Sequence, residues 1–367
     1  MRKVRSHLLM SANALRSAGF YVREGVPFAE LTTFGVGGPC ACLVELEAHE
    51  RLGELLALLT EPVFVLGGGS NLLVSDGGYD GTAVRLLPCA RSVATDGELA
   101  IVKVSAGEDW SSFAEWCVGE GLSGVECLSG IPGTVGATPV QNVGAYGQEV
   151  ASRIRHVHVW DRATSRSKVL GAAECGFAYR DSRFKKNRRF VIVSVEFALE
   201  RSRLSAPVRY EELARALGVA VGARASLGDV ALAVLGLRKN KGMVLDEADP
   251  DTKSAGSFFT NPVVSLSRLA DLQRISPEIP YWRQSSGDVA QQGVKLAAAW
   301  LIEQAGFTRG YTKGRAGIST KHTLALVARD GASAADIIAL AAEVQEGVHA
   351  RFGVRLQPEP VLLGLSI

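Results

Sequence analysis

Between residues 40 and 200 the hydrophobic positions come in short bursts: ACLVEL, PVFVLGG, TAVRL, AIVKVSAG, RIRHVHVW and RFVIVSVEFAL. Such short apolar or alternating runs bounded by turn residues predict strands. Helical spacing interrupts them in places, as in SSFAEWCVG at 111–119. The regular strand–helix alternation of a doubly wound fold is missing, so the pattern predicts an α+β or mixed α/β protein. After residue 220 the period changes. GDVALAVLGLRKNK predicts a helix, and GVKLAAAWLIEQAGF predicts another, with Val294, Ala297, Ala298, Leu301 and Ala305 on one face. STKHTLALVAR predicts a strand. GASAADIIALAAEVQEGVHARFG predicts a helix opened by a capping box, with Ser333 three residues before Asp336. VRLQPEPVLLGLSI predicts a strand pair broken by prolines. It is too apolar to hang free and is expected to dock on an earlier sheet.

Composition narrows the class. A chain of 367 residues can hold two or three domains. Its 47% hydrophobic and 21% charged content belongs to a soluble globular protein rather than a disordered one. The net charge of +2, without a long run of one sign, gives no footprint for nucleic acid or an acidic membrane. No stretch approaches the ~18 apolar residues of a membrane span. The basic N-terminus, MRKVRSHLLMSANALRSAGF, lacks a signal-peptide core, so a cytoplasmic protein is expected. The cysteines are Cys40, Cys42, Cys89, Cys117, Cys127 and Cys175, with no CxxC pair. Cys40 and Cys42 are too close for ordinary zinc spacing, so the expectation is six reduced, buried thiols and no metal.

Two glycine loops stand out. VFVLGGGSNLLVSDGGYDG runs a strand into Gly67, Gly68, Gly69, Ser70 and Asn71. Consecutive glycines let backbone N–H groups line a concavity that suits a pyrophosphate. The spacing is neither that of a P-loop nor GxGxxG, and a tight strand-to-strand turn explains it equally well. LSGIPGTVGATPVQNVGAYGQEV, at 128–150, carries glycines at 130, 133, 136, 144 and 147, together with Gln141 and Asn142. A loop beyond about 12–15 residues is usually functional or disordered, and this one is too apolar for disorder. The two loops could grip one extended dinucleotide.

A third segment, GSFFTNP at 256–262, sets Ser257 beside a glycine that lets a ligand approach. At least one of Phe258 and Phe259 is expected in the core. From the residues alone Ser257 is a nucleophile, a proton donor or a turn serine. No GxSxG elbow surrounds it, although a distant base such as His322 stays open.

Eight ordered blocks carry a resemblance. They are LTTFGVGG at 31–38, LGGGSNLLV at 66–74, the 128–150 loop, YRDSRFK at 179–185, GSFFTNPVV at 256–264, GVKLAAAWLIEQAGF at 293–307, STKHTLALV at 319–327 and PEPVLLG at 358–364. With them the chain resembles the UDP-N-acetylenolpyruvoylglucosamine reductase (UDP-N-acetylmuramate dehydrogenase) family of peptidoglycan precursor synthesis, in its longer type with a substrate-covering tyrosine. The first twenty residues match none of it.

The resemblance implies an α+β protein: a p-cresol-methylhydroxylase-type FAD-binding fold of two subdomains, 21–89 joined by 354–367, and 90–222. A substrate-binding domain would follow at 223–353. It implies that Gly67, Gly68, Gly69, Ser70, Asn71 and Leu72 hold the FAD pyrophosphate. The flavin would lie along Ser129, Ile131, Pro132, Gly133, Gly136, Ala137, Gln141, Asn142, Gly144, Ala145, Tyr146 and Gly147. It also implies NADPH as co-substrate, a monomer, and three catalytic residues. Arg180 would bind the enolpyruvyl carboxylate, Ser257 would donate a proton, and Glu359 would orient Arg180 or share in proton handling. Tyr179, Tyr210, Lys241 and Asn261 would contact the UDP-sugar, with Lys321 or His322 also in reach.

Two other readings compete. Another oxidase or dehydrogenase on the same flavin fold predicts the glycine loops but neither GSFFTNP nor YRDSRFK. A non-catalytic nucleotide-sugar binder predicts loss of Arg180, Ser257 or Glu359, and all three are present. Neither glycine loop contains a histidine that could attach a flavin, nor does Cys127 match such a site, so the FAD is expected to be non-covalent. Acid precipitation should release the yellow colour into the supernatant; colour kept in the pellet would contradict this.

Overall fold

The computed structural model describes residues 12–60, 62–283 and 293–367. The reading of the basic N-terminus rests largely on residues 1–11, which lie outside this range. The chain divides into two compact units, one of 12–27, 39–69 and 78–244, the other of 28–38, 70–77 and 245–367.

The first unit carries two sheets. In one, Tyr21–Pro27 pairs antiparallel with Pro39–Leu46, which continues in parallel through Tyr79–Leu86 to Val63–Leu66. The other is antiparallel, in the order Arg166–Gly171, Ile154–Asp161, Phe190–Arg201, Leu99–Ser105, Arg91–Asp96, with Leu122–Ser123 added to Phe190–Arg201. Register follows burial: Val195 lies opposite Val104 and Phe197 opposite Val102, and all four are buried. The helix Trp110–Gly119 buries Trp110, Phe113, Ala114 and Cys117, the i, i+3, i+4, i+7 stripe of an amphipathic helix. Asp109 caps it by accepting from the Ser112 amide at 2.8 Å. The Trp110 indole donates to the Leu128 carbonyl at 3.0 Å, which ties this helix to the start of the long glycine loop.

The second unit is built on the helix Ala334–Phe352, which begins with the predicted capping box: Ser333 and Asp336 bond each other's backbone. Two three-stranded antiparallel sheets accompany it: Val263–Ser265, Gly293–Leu296, Tyr281–Arg283 and Thr312–Lys313, Ala316–Ile318, Leu326–Ala328. The apolar tail docks, Val361–Leu363 pairing in parallel with Leu72–Val74. Phe258 and Phe259 are both buried in this unit's core beside Leu301, Leu340 and Phe352.

Several sequence expectations are corrected. GVKLAAAWLIEQAGF is not one helix: Gly293–Leu296 is a strand and Ala298–Gln304 the helix. Val294 and Leu296 satisfy period two as well as a helical face, and partner strands on both sides decide for the strand. STKHTLALVAR forms a strand only over Leu326–Ala328. Before it, Ser319 Oγ accepts from the Lys321 and His322 amides and curls the chain into turns. The tail gives one strand, not two, because Pro358 and Pro360 have no N–H for a ladder. GGGSN is no tight turn between paired strands, since Val63–Leu66 and Leu72–Val74 lie in different sheets. Five of the cysteines are buried, but Cys89 is exposed. Among the described residues no helix is long and apolar enough to cross a membrane, and no His/Cys/Asp/Glu cluster is poised for a metal.

Asp76 secures the helix Ala334–Phe352 to the segment that follows Leu72–Val74. Its two oxygens accept from the Ala334 and Ala335 amides at 2.7 and 3.0 Å, satisfying helix N–H groups with a negative charge at the positive end. Asp76→Ala is expected to destabilise the protein by about 1 kcal/mol, seen as a lower Tm; an unchanged Tm would contradict this role.

Candidate active site

In the first unit the two glycine loops meet backbone to backbone. A Cβ on Gly68 would stand 2.7 Å from Gly133 Cα, and one on Gly67 would stand 3.1 Å from Thr134 Oγ1 and 3.2 Å from Ala137 Cβ. At Gly68 only glycine permits this approach, and at Gly67 the fit is tight. The long loop is anchored from below: the Gly133 carbonyl accepts from Trp110, while Val135 and Gly136 donate to the Glu108 and Ala106 carbonyls. Ser129 is buried, with its hydroxyl on the Glu126 carbonyl at 2.9 Å. Ile131, Pro132, Ala137 and Gln141 are half-exposed along the same stretch.

Asn142 and Arg180 form one network. Asn142 is buried at φ 45° and spends its side chain inward. Its Nδ2 donates to Glu149 Oε2 at 2.8 Å and to the Ala178 carbonyl at 3.1 Å, and its Oδ1 accepts from the Ala151 amide at 3.1 Å. It thus fastens the YRDS segment to the glycine loop. Arg180, at φ 52°, donates from Nη2 to the Gly144 carbonyl at 2.6 Å. Its guanidinium lies 5.3 Å from the centre of the Tyr179 ring. Lys185 Nζ donates to the Arg180 carbonyl at 2.6 Å. A non-glycine residue held at positive φ is strained, and such strain collects at functional positions. Gly144 leaves room for this arginine, since a Cβ there would be 3.2 Å from Arg180 Nη1 and 2.7 Å from Glu149 Cγ.

Three residues chosen from separate stretches of sequence come together in the same unit. The Tyr146 and Tyr210 rings meet edge to face at 5.5 Å, and Lys241 Nζ lies 5.6 Å from the Tyr146 ring centre. Lys241 also pairs with Glu212 Oε2 at 2.6 Å. Burial pushes the Tyr146 phenol up to about 12, so it stays protonated. Two members of this region escaped sequence reasoning. Arg238, 8% exposed, donates to the Met243 carbonyl at 2.7 Å, and burial lowers its guanidinium to about 10. Its signal was periodicity, because Leu227, Val230, Val234 and Arg238 share the buried helix face. Glu149 holds Asn142, and its signal was being the one charge in the 128–150 loop.

The second unit holds Ser257 and Glu359. The Phe258 amide donates to the Leu324 carbonyl at 2.7 Å, and the Phe258 carbonyl accepts from the Glu359 amide at 2.8 Å. Phe259 bridges Pro358, and the Thr260 amide donates to Gln357. The GSFFT stretch is therefore threaded between KHTL and QPEP, with Ser257 and Glu359 on neighbouring rungs. Both are half-buried, and Ser257 Oγ makes no hydrogen bond among the described residues. Gly256 sits at φ 71° with nothing within 4 Å of its would-be Cβ, so backbone conformation rather than crowding demands glycine there. The Glu359 carbonyl accepts from Asn71 Nδ2 at 3.3 Å. Asn261 Oδ1 accepts from the Ala298 amide at 2.9 Å, at the start of Ala298–Gln304. Lys321 is committed to Asp249 at 2.6 Å. Of the residues named from sequence, Gly67 to Gly69, Ser129 to Gly147, Tyr179, Arg180, Tyr210 and Lys241 belong to the first unit. Ser70 to Leu72, Ser257, Asn261 and Glu359 belong to the second.

Comparison with known proteins matches residues 249–363 to the C-terminal domain of UDP-N-acetylenolpyruvoylglucosamine reductase, and residues 40–168 to an FAD binding domain. The UDP-N-acetylenolpyruvoylglucosamine reductase of Thermobifida fusca (strain YX) is 52% identical over 356 residues, covering 94% of this chain and 98% of that one. The chain belongs to the UDP-N-acetylenolpyruvoylglucosamine reductase family. The enzyme of that name from Nocardia farcinica (strain IFM 10152) is 49% identical over 364 residues, covering 96% of this chain and 92% of that one. The crystal structure of the reductase from Thermus caldophilus aligns with a TM-score of 0.64 at 28% identity, over 94% of this chain and 99% of that one.

The protein is thus an α+β, FAD-dependent oxidoreductase of this reductase family. The residues present fit the cofactor: consecutive glycines at 67 and 68 leave loop backbone uncovered by side chains, with Gly68 against the Gly133 backbone and Gly67 against the small, uncharged side chains of Thr134 and Ala137. Gly68→Ala is expected to push the loops apart and to weaken FAD binding at least ~10-fold, the equivalent of ~1.4 kcal/mol. Cofactor titration by fluorescence checks this, and wild-type affinity in the variant would contradict it.

Proposed function

We propose that this chain reduces UDP-N-acetylglucosamine enolpyruvate to UDP-N-acetylmuramate, using NADPH and non-covalent FAD, in peptidoglycan precursor synthesis. The observation that carries the reading is the backbone pairing of Phe258 with Glu359, which brings the GSFFT and QPEP segments together and puts Ser257 one position from that pair. FAD, when bound, carries a hydride from NADPH to the enolpyruvyl double bond. The chain's own residues supply the rest.

Addition of hydride to one alkene carbon builds negative charge on the other carbon and its carboxylate. Arg180 binds that carboxylate with its always-charged guanidinium fork and stabilises the developing charge. Its carbonyl contact with Gly144 and its place over Tyr179 favour a fixed orientation. Ser257 donates its hydroxyl proton to the charged carbon, and Glu359 helps restore that proton. Tyr179, Tyr210, Lys241 and Asn261 hold the UDP-sugar, Lys241 meeting the diphosphate with its charge. Gly67 to Leu72 cradle the FAD pyrophosphate, and Ser129 to Gly147 line the flavin, Asn142 through its backbone because its side chain is bonded inward.

A two-stage anaerobic assay tests this reading. The yellow protein should bleach with NADPH and recolour on adding the enolpyruvyl UDP-sugar. Bleaching without recolouring would favour another flavin dehydrogenase, and a colourless protein that takes up no FAD would favour a binding protein. Ser257→Ala should leave the first stage intact and slow the second at least ~100-fold, the lower end for a general acid. Equal loss in both stages would mean that Ser257 shapes the cofactor site instead.

A further inference from the structure

Cys89 is the exposed thiol of this chain, and it does not stand alone. Its Sγ lies 3.6 Å from His49 Nδ1. His49 is 8% exposed, at the start of the short 3-10 turn His49–Arg51, and its other ring nitrogen, Nε2, lies 2.9 Å from the Leu87 carbonyl. A carbonyl only accepts, so Nε2 carries the hydrogen and Nδ1 presents its lone pair to the sulfur. The thiol is held in place as well: the Cys89 amide donates to the buried Ser105 hydroxyl at 3.1 Å, and the Ser105 amide donates to the Ala90 carbonyl at 2.9 Å. A nucleophile, a base and a group that orients the base form the arrangement that activates a thiol. The remaining cysteines are inert by contrast. They are buried, and burial pushes Cys40 and Cys175 up to about 11 and Cys127 up to about 12.

We infer that Cys89 and His49 form a thiol-modification site, separate from the reductase chemistry, that takes low-molecular-weight disulfides. His49 Nδ1 takes the Cys89 proton, and the thiolate attacks one sulfur of the disulfide R–S–S–R. That S–S bond breaks, a Cys89–S–S–R bond forms, and the departing R–S⁻ takes the proton from His49. Cys89 is oxidised, half of the small disulfide is reduced, and added thiol reverses the exchange.

The test treats FAD-loaded protein with bis(2-hydroxyethyl) disulfide at neutral pH and maps the adduct by peptide mass spectrometry. A single adduct on Cys89 is expected, absent in Cys89→Ser and removed by dithiothreitol. It should form at least ~10-fold faster than the adduct of N-acetylcysteine amide under the same conditions, and His49→Gln should slow it at least ~10-fold. Labelling of Cys40, Cys117 or Cys127 in His49→Gln would report unfolding, in which case the comparison of wild type with the model thiol decides. A wild-type rate no faster than the model thiol, an unchanged rate in folded His49→Gln, or first labelling of a buried cysteine would overturn the inference.

Discussion

The backbone of Phe258 is held on both sides, its amide on the Leu324 carbonyl and its carbonyl on the Glu359 amide. Much of the second unit depends on that pair of bonds. They draw a C-terminal stretch, QPEP, against a segment a hundred residues earlier, and they do so inside a core where Phe258 and Phe259 exclude water. In such surroundings an unpaired backbone group is costly, so the two bonds leave little freedom to slide. The prolines on either side of Glu359 remove alternative donors and stiffen the approach. Ser257 and Glu359 are thereby positioned through the main chain.

The first unit solves a different problem with the same economy. Two of its loops come close because side chains are absent at Gly67 and Gly68, where a Cβ would crowd Gly133, Thr134 and Ala137. The polar side chains that remain work in two directions. Asn142 is bonded inward at three points, and Arg180 is fixed through the Gly144 carbonyl and the Tyr179 ring. The arginine adopts positive φ with support from Asn142, which clamps the segment just before it. A guanidinium that is rigid before any ligand arrives loses less entropy on binding one.

The glycine loops, the Ser333–Asp336 capping box and the strand runs of the first unit were legible in sequence because each is a local signal. The GVKLAAAW stretch was not, since over four apolar residues the periods of strand and helix coincide and distant partners at 263–265 and 281–283 decide. STKHTL looked like a strand because its side-chain-to-backbone bonds at Ser319 leave no trace in hydrophobicity. The candidate site was legible mainly through motif resemblance. Physical reading alone left Ser257 open between three roles. The structure adds the backbone pairing of this segment with the Glu359 stretch, and among the described residues it gives the Ser257 hydroxyl no histidine hydrogen bond. Cys89 escaped because exposure is a tertiary property that thiol spacing does not encode.

The central claim is that the protein, through Ser257, delivers a proton in the second stage of the reaction. Stopped-flow recording of that stage in H2O and in D2O tests it most directly. A proton donated from an exchangeable hydroxyl in the rate-determining step predicts slower recolouring in D2O, with the NADPH-driven bleaching affected less. Recolouring at the same rate in both solvents would contradict the account.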